Sequence, residues 1–150
     1  MAMRTRLSAR LLIVNDAGRL LLFRFVYKTG PLAGQDFWAT PGGGVEDGEA
    51  FEQTAVRELA EETGLQRNSV GPEVARREFL QQLPDGERVM ADERYFLVRV
   101  TDESLSRTNW TALEREVMVE HRWWSREELA RTEATVWPEK LLEMLEAAGR

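Results

Sequence analysis

Two runs rich in aliphatic and aromatic residues, 7–14 (LSARLLIV) and 19–26 (RLLLFRFV), flank Asn15-Asp16-Ala17-Gly18. Strand-type runs bounded by such turn residues predict a hairpin of two antiparallel strands. Residues 27–36 hold two glycines and a proline and read as a loop. The segment FWATP at 37–41 predicts a short strand that delivers Gly42, Gly43 and Gly44 to the start of a helix. The period then becomes helical from about Ala50 to Thr63, and Gly64 is placed to end that helix in the left-handed conformation, with Leu65 folding back as its apolar partner.

Two further strand-type runs, 73–82 and 88–100, are joined across LPDGE, where Asp85 and Gly86 mark the turn. Residues 101–113 carry Ser, Thr and Asn and read as a loop, and a final strand is predicted from about Val117 to Trp124. Ser125 with Glu128 forms a capping box that opens a short helix. Pro138 suits the first turn of a terminal helix reaching about Ala148, with Leu141, Leu142, Met144 and Leu145 as its apolar stripe. There is no internal repeat and no low-complexity segment. The elements add up to an α/β chain, a mixed sheet with helices on both sides.

Composition narrows this picture. A length of 150 residues with 43% hydrophobic content fits one domain with one core. The net charge of -6 argues against an electrostatic grip on DNA or RNA, so a phosphate ligand needs a local cation to hold it. The absence of cysteine excludes disulfides, thiolate metal sites and a cysteine nucleophile. The basic start, MAMRTRLSARLLIVND, reads as an exposed terminus leading into the first strand instead of a signal peptide, and no apolar run approaches the ~20 residues of a membrane span. The expectation is a soluble, cytoplasmic protein without membrane or nucleic-acid partners.

The predicted helix 50–63 carries the chemistry. At about 100° per residue, Glu58, Glu61 and Glu62 fall within an arc of roughly 100°, and Val56, Leu59, Ala60 and Thr63 fall on the other side. The reading is an apolar side packed on the core and three carboxylates aimed into a cleft. Glu61 and Glu62 sit in the last turn, where the helix dipole disfavours anions, so something positive must compensate. Arg57 is one candidate; a bound Mg²⁺, which prefers oxygen ligands shared with substrate phosphates, is the other.

Read as spacing, the run is Gly43, five residues, Glu49, seven residues, Arg57-Glu58-Leu59, one residue, Glu61-Glu62, one residue, Gly64-Leu65. It resembles the Nudix box at every position. Its seven fixed identities, at about 7% usage each, make a chance match on the order of one in a hundred million per window. The resemblance implies an α/β/α sandwich with a mixed sheet and Mg²⁺-dependent (or Mn²⁺-dependent) hydrolysis of a pyrophosphate linkage. It also implies roles. Glu58 and Glu62 are metal ligands, Glu61 binds directly or through water, and the Gly42 carbonyl completes the set. Arg57 pairs with Glu49 and orients the glutamates, while Gly43 and Gly44 let the backbone approach metal and pyrophosphate. The carboxylate that takes the proton from water lies inside the box or on a later segment, where Glu114, Glu116 and Glu120 are the candidates; Glu116 stands closest by its spacing to Trp123.

Other residues carry less. His121 is the only histidine and reads as a strand residue, and Trp123 and Trp124 read as packing at the sheet margin. Arg24 is a candidate for a phosphate or a base, and Trp38 or Phe37 for stacking on a base, against the alternative of core aromatics flanking a surface arginine. The loops 27–36 and 101–115 are expected to shape the pocket. Within the class implied by the resemblance, a MutT-like nucleoside triphosphate pyrophosphohydrolase is the leading expectation. The proline and tyrosine that mark ADP-ribose and dinucleoside polyphosphate relatives some 16 to 18 residues past the box are absent, Gln81, Gln82 and Leu83 filling the interval. Nucleotide sugars, ADP-ribose and dinucleoside polyphosphates stay open as substrates. A non-catalytic nucleotide sensor and an isoprenoid diphosphate isomerase are the readings from other classes; the first commonly loses box glutamates, which this chain keeps, and the second commonly uses a cysteine, which it lacks. A homodimer is the candidate assembly.

Overall fold

The computed structural model describes residues 3–101 and 103–149. The readings made above for Met1, Ala2 and Asp102 lie outside them. Eight strands, β1 (Thr5–Val14), β2 (Leu20–Val26), β3 (Asp36–Ala39), β4 (Gly42–Gly44), β5 (Glu73–Gln82), β6 (Arg88–Arg99), β7 (Met118–Trp124) and β8 (Val136–Trp137), join in one mixed sheet. The helices are α1 (Phe51–Thr63), α2 (Ala112–Val117), α3 (Arg126–Arg131) and α4 (Leu141–Ala148).

The period-two pattern of the strands sorts the core into two layers. On one face Ala9, Leu11 and Ile13 of β1, Leu21 and Phe23 of β2, and Phe96 and Val98 of β6 pack on Ala55 and Leu59 of α1 and Val117 of α2. On the other, Leu12, Leu20, Leu22, Tyr95 and Leu97 pack on Leu141, Met144 and Leu145 of α4. This is the α/β/α sandwich. Leu59 is fully buried, so Leu59→Ala would leave a cavity under the site helix at a cost of about 2–5 kcal/mol.

Several boundaries differ from the sequence reading. The first two strands do not form an extended hairpin: they pair only at Val14–Leu20, and β1 then runs parallel to β6 while β2 pairs with β3 and β7. The strands splay because the three glycines, read only as the link from a short strand to the helix, form β4 and take the place beside β1, with Ser8, Ala9 and Arg10 opposite Gly44, Gly43 and Gly42. Residues 101–113 are not all loop, since α2 begins at Ala112, capped by the Thr111 hydroxyl, which accepts from the Glu114 N–H. Val117 ends α2 and the following strand starts at Met118. The terminal helix starts at Leu141, three residues past Pro138, and Val136–Trp137 add a short strand parallel to β3. Among the described residues no helix is long and apolar enough to cross a membrane.

Helix α1 matches its predicted span closely. Ala50 has no side chain to cap with, and Gln53 Oε1 accepts the Ala50 N–H at 2.7 Å in its stead. At the other end Gly64 takes φ 82° and its N–H reaches the Ala60 carbonyl at 2.9 Å, while Leu65 packs on the core. Only glycine adopts that left-handed geometry without strain.

Candidate active site

Strand β4 and helix α1 build the site between them. The Gly42 N–H donates to Glu62 Oε2 at 3.0 Å, and Arg57 Nη2 donates to the Gly44 carbonyl at 2.9 Å. The N–H and C=O of one strand residue point the same way, so the Gly42 carbonyl shares the edge that faces Glu62. Gly43 turns to Glu58: a Cβ there would stand 2.3 Å from Glu58 Oε1, a separation no side chain tolerates.

Arg57 is the hub. It grips Glu49 with Nε to Oε2 at 2.8 Å and Nη2 to Oε1 at 2.9 Å, and its Nη1 donates to Glu58 at 3.0 Å and to Glu61 at 3.1 Å. This fixed fork is the geometry guanidinium groups offer to carboxylates. Hydrogen bonding to Arg57 holds the Glu49 carboxyl at about 2. The box glutamates go the other way. Burial, followed by the Glu61 charge, pushes Glu58 up to about 7; burial, then the charges of Glu58 and Glu114, pushes Glu62 well above the usual carboxylate range.

The two arcs assigned to α1 need correcting. Glu58 and Glu62 are buried beside Ala55 and Leu59, whereas Val56 and Ala60 are half-exposed and Glu61 lies at the rim. The glutamates therefore line the inner boundary of the core and bear its desolvation cost. No three carboxylates among the described residues converge as a ready cage for a cation, because Glu58 and Glu61 turn to Arg57 and Glu62 turns to Gly42. The donor set still fits a hard divalent ion: Glu58, Glu61, Glu62 and a strand carbonyl beside them offer oxygen ligands, and burial raises the carboxyls of Glu58 and Glu62, a cost that a cation offsets.

Outside the box the picture changes more. Glu114, on α2, is the later glutamate whose charge acts on both Glu58 and Glu62. Glu116 is exposed, and Glu120 pairs with Arg24 at 3.2 Å. Arg24 is further occupied by Asp36, with both nitrogens at 2.9 and 2.7 Å, so its guanidinium is taken by carboxylates instead of standing free for phosphate. Trp38 is buried, edge-on to Trp124 at 5.1 Å, and belongs to the α4-side core; it is not a free stacking surface. Phe37 instead stacks with Phe25 at 5.4 Å and with Tyr27 at 6.2 Å, all three half-buried. His121 is an exposed strand residue opposite Phe23, Trp123 packs on the α1-side core and Trp124 is buried, as read.

One cluster escaped the sequence reading. Glu93 is buried on β6 and accepts from Arg10 Nε at 2.9 Å, Arg77 Nη2 at 3.0 Å and the Tyr95 hydroxyl at 2.7 Å. Burial alone would raise its carboxyl; Arg10, Tyr95 and Arg77 together bring it below the ordinary value. The signal available was strand parity, since Ser8 and Arg10 interrupt the apolar pattern of β1 on one face only.

Similarity to known proteins agrees with this geometry. The NUDIX domain family matches residues 4–145. An RNA pyrophosphohydrolase of Novosphingobium aromaticivorans is 37% identical over 75 residues, covering 49% of this chain and 44% of that protein. The chain thus matches less than half the length of the curated relatives. Among solved structures, the MutT protein of Methanosarcina mazei Go1 superimposes with a TM-score of 0.71 at 24% identity, covering 97% of this chain and 94% of that one. The NUDIX domain of Shewanella oneidensis NrtR complexed with ADP ribose gives 0.61 at 18% identity, covering 99% and 88%. With the family matched over nearly its whole length and the glycine strand set against a helix of buried glutamates, this chain belongs to the Nudix family.

Proposed function

We propose that this chain is a divalent-metal-dependent pyrophosphohydrolase acting on a nucleoside diphosphate linked to another group, with nucleoside triphosphates as the leading substrates. The observation that carries this reading is the buried pair Glu58 and Glu62, set against the Gly42–Gly44 strand, with Arg57 bonded to Glu58 and the Gly42 N–H bonded to Glu62. Two desolvated carboxylates side by side are unfavourable alone and favourable around a divalent ion.

Glu58, Glu62 and the Gly42 carbonyl would hold Mg²⁺ or Mn²⁺, with Glu61 at the exposed rim joining directly or through water. When bound, the ion neutralises charge on the phosphate oxygens and helps position the attacking water. Arg57 and Glu49 fix the glutamates from behind. Gly43, where a Cβ would collide with Glu58, lets β4 lie close against the glutamates, and Gly44 keeps its side of the strand free of a side chain. The proton released from water goes to a carboxylate at the rim, Glu61 or Glu114, the latter replacing Glu116 as the candidate outside the box.

Relatives support more than one substrate. The name RNA pyrophosphohydrolase adds 5′-triphosphate RNA to the compounds worth assaying, and the ADP-ribose complex of a structural neighbour adds ADP-ribose. The net charge of -6 favours a small nucleotide over a polynucleotide. A screen of nucleoside triphosphates, dinucleotides, nucleotide sugars, ADP-ribose and 5′-triphosphate RNA with Mg²⁺ or Mn²⁺ tests the reading. Turnover of at least one is expected; binding of a nucleotide with turnover of none would favour a sensor.

A further inference from the structure

Three arginines, Arg6 and Arg10 of β1 and Arg77 of β5, share one face of the sheet with the buried carboxylate of Glu93. Arg10 and Arg77 both donate to it. Arg6 does not: its one hydrogen bond runs from Nη1 to the Ser8 hydroxyl at 3.0 Å, and among the described residues it has no carboxylate partner. It is nevertheless half-buried. Burial and the neighbouring Arg10 charge both work against its charged form; the charges of Glu93 and Glu58 act in its favour, but among the described residues Arg6 makes no hydrogen bond to either. In a chain of net charge -6, this local excess of positive charge is out of character.

The place of Arg6 explains what could compensate it. Gly44 stands beside it on β4, and a Cβ on Gly44 would lie 3.2 Å from Arg6 Nη2. Neighbouring strand residues point to opposite faces, so the same strand presents Gly43 to Glu58 on one flank and Gly44 to Arg6 on the other. The Glu58 charge acts on Arg6 across β4. A phosphate chain running over the glycines would meet the carboxylate site on one side and a guanidinium with unused N–H donors on the other.

We propose that Arg6 binds non-bridging phosphate oxygens of the substrate from the flank of β4 opposite Glu58 and Glu62, an inference that rests on the pyrophosphohydrolase reading. The planar fork of a guanidinium suits two phosphate oxygens at once, and glycine at position 44 keeps the approach open. Arg6 is a binding residue in this account, so its loss falls on affinity and KM more than on kcat.

Calorimetric binding of the α,β-methylene analogue of ATP with Mg²⁺ tests it, comparing the wild type with Arg6→Ala, Arg6→Lys and, as a control, Arg4→Ala, whose exposed side chain pairs with Glu87 at 2.8 Å. Arg6→Ala is expected to weaken binding about tenfold or more, Arg6→Lys to recover part of it as a point charge, and Arg4→Ala to leave it unchanged. If Arg6→Ala fails to give a cooperative melt, Arg6→Gln, which removes the charge and keeps a donor for Ser8, decides by the same comparison. A wild type that binds the analogue with an uncharged Arg6 variant of equal affinity overturns the role of Arg6 alone. A wild type that binds neither this analogue nor any substrate of the screen overturns the pyrophosphohydrolase reading and this inference with it.

Discussion

The indole Nε1 of Trp110 donates to the backbone carbonyl of Glu62 at 2.8 Å, and four residues earlier in the same segment the Ser106 N–H reaches the Thr63 carbonyl at 2.9 Å. The last carbonyls of a helix have no intrahelical partner. The segment before α2 therefore fastens the end of α1 that carries Glu61 and Glu62. Trp110 is buried and meets Phe23 edge-on at 5.6 Å, so the ring also packs. Trp110→Phe keeps most of that packing and removes the donor. The expected cost is about 1–3 kcal/mol in urea unfolding, with weaker Mg²⁺ binding; unchanged values for both would show that the bond does not position the helix end.

Gly43→Ala tests the closeness of β4 to the glutamates. The added carbon would stand 2.3 Å from Glu58 Oε1 and 2.6 Å from its Cδ, so the carboxylate must move. Overpacking of this kind costs about 1–3 kcal/mol. Thermal melting should show the loss, and Mg²⁺ titration should show a reduced affinity even where the variant stays folded.

Arg57→Lys should behave as a disruptive change. Lysine cannot grip both Glu49 oxygens while reaching Glu58, Glu61 and the Gly44 carbonyl, all of which Arg57 contacts. Residues that orient metal ligands typically cost about 10–100-fold in metal affinity or activity when changed. Steady-state kinetics at saturating Mg²⁺ should show the loss chiefly in kcat.

The pH dependence of the metal-free protein has a defined sign. Burial and the Glu61 charge raise Glu58 to about 7, above its value in the unfolded chain. The folded protein then binds more protons than the unfolded one between roughly pH 4 and 7, so this contribution to stability is full below that window and is lost as pH rises through it. Glu58→Gln keeps the shape and cannot ionise. In EDTA, Glu58→Gln and wild type should melt alike near about pH 5, and the variant should be the more stable near about pH 8. Added Mg²⁺ should stabilise the wild type more at the higher pH. A variant no more stable than wild type at the higher pH would contradict the assigned shift.

Much of this site was legible because its parts are local. The spacing from Gly43 to Leu65, the α1 boundaries and the Gly64 cap follow from turn chemistry and helical period, which need no tertiary contacts. The glycine run was harder. Three residues without side chains carry no strand signal, and β4 exists because β1 offers an edge at Ser8–Arg10. Helix α2 was hidden because Thr111 and Glu114, polar residues in a polar stretch, look like loop until they are seen to cap each other. For Trp38 and Arg24 the choice between substrate contact and packing stayed open for a related reason: whether an aromatic ring is covered and an arginine already paired depends on tertiary partners such as Trp124 and Glu120 of β7. Arg6 is the converse case, an ordinary basic residue whose missing partner becomes visible only when Arg10 and Arg77 are seen to consume Glu93.

The central claim is that Glu62, buried and bonded to the Gly42 N–H, belongs to a metal-dependent hydrolytic site. The most direct test is turnover of whichever substrate the screen identifies, with Mg²⁺, by the wild type and by Glu62→Gln, together with Mg²⁺ binding by both. The amide keeps the size and can still accept from Gly42, so folding should survive while metal affinity and kcat fall by about 10²-fold or more. Equal turnover and equal Mg²⁺ affinity in a correctly folded Glu62→Gln variant would contradict the account.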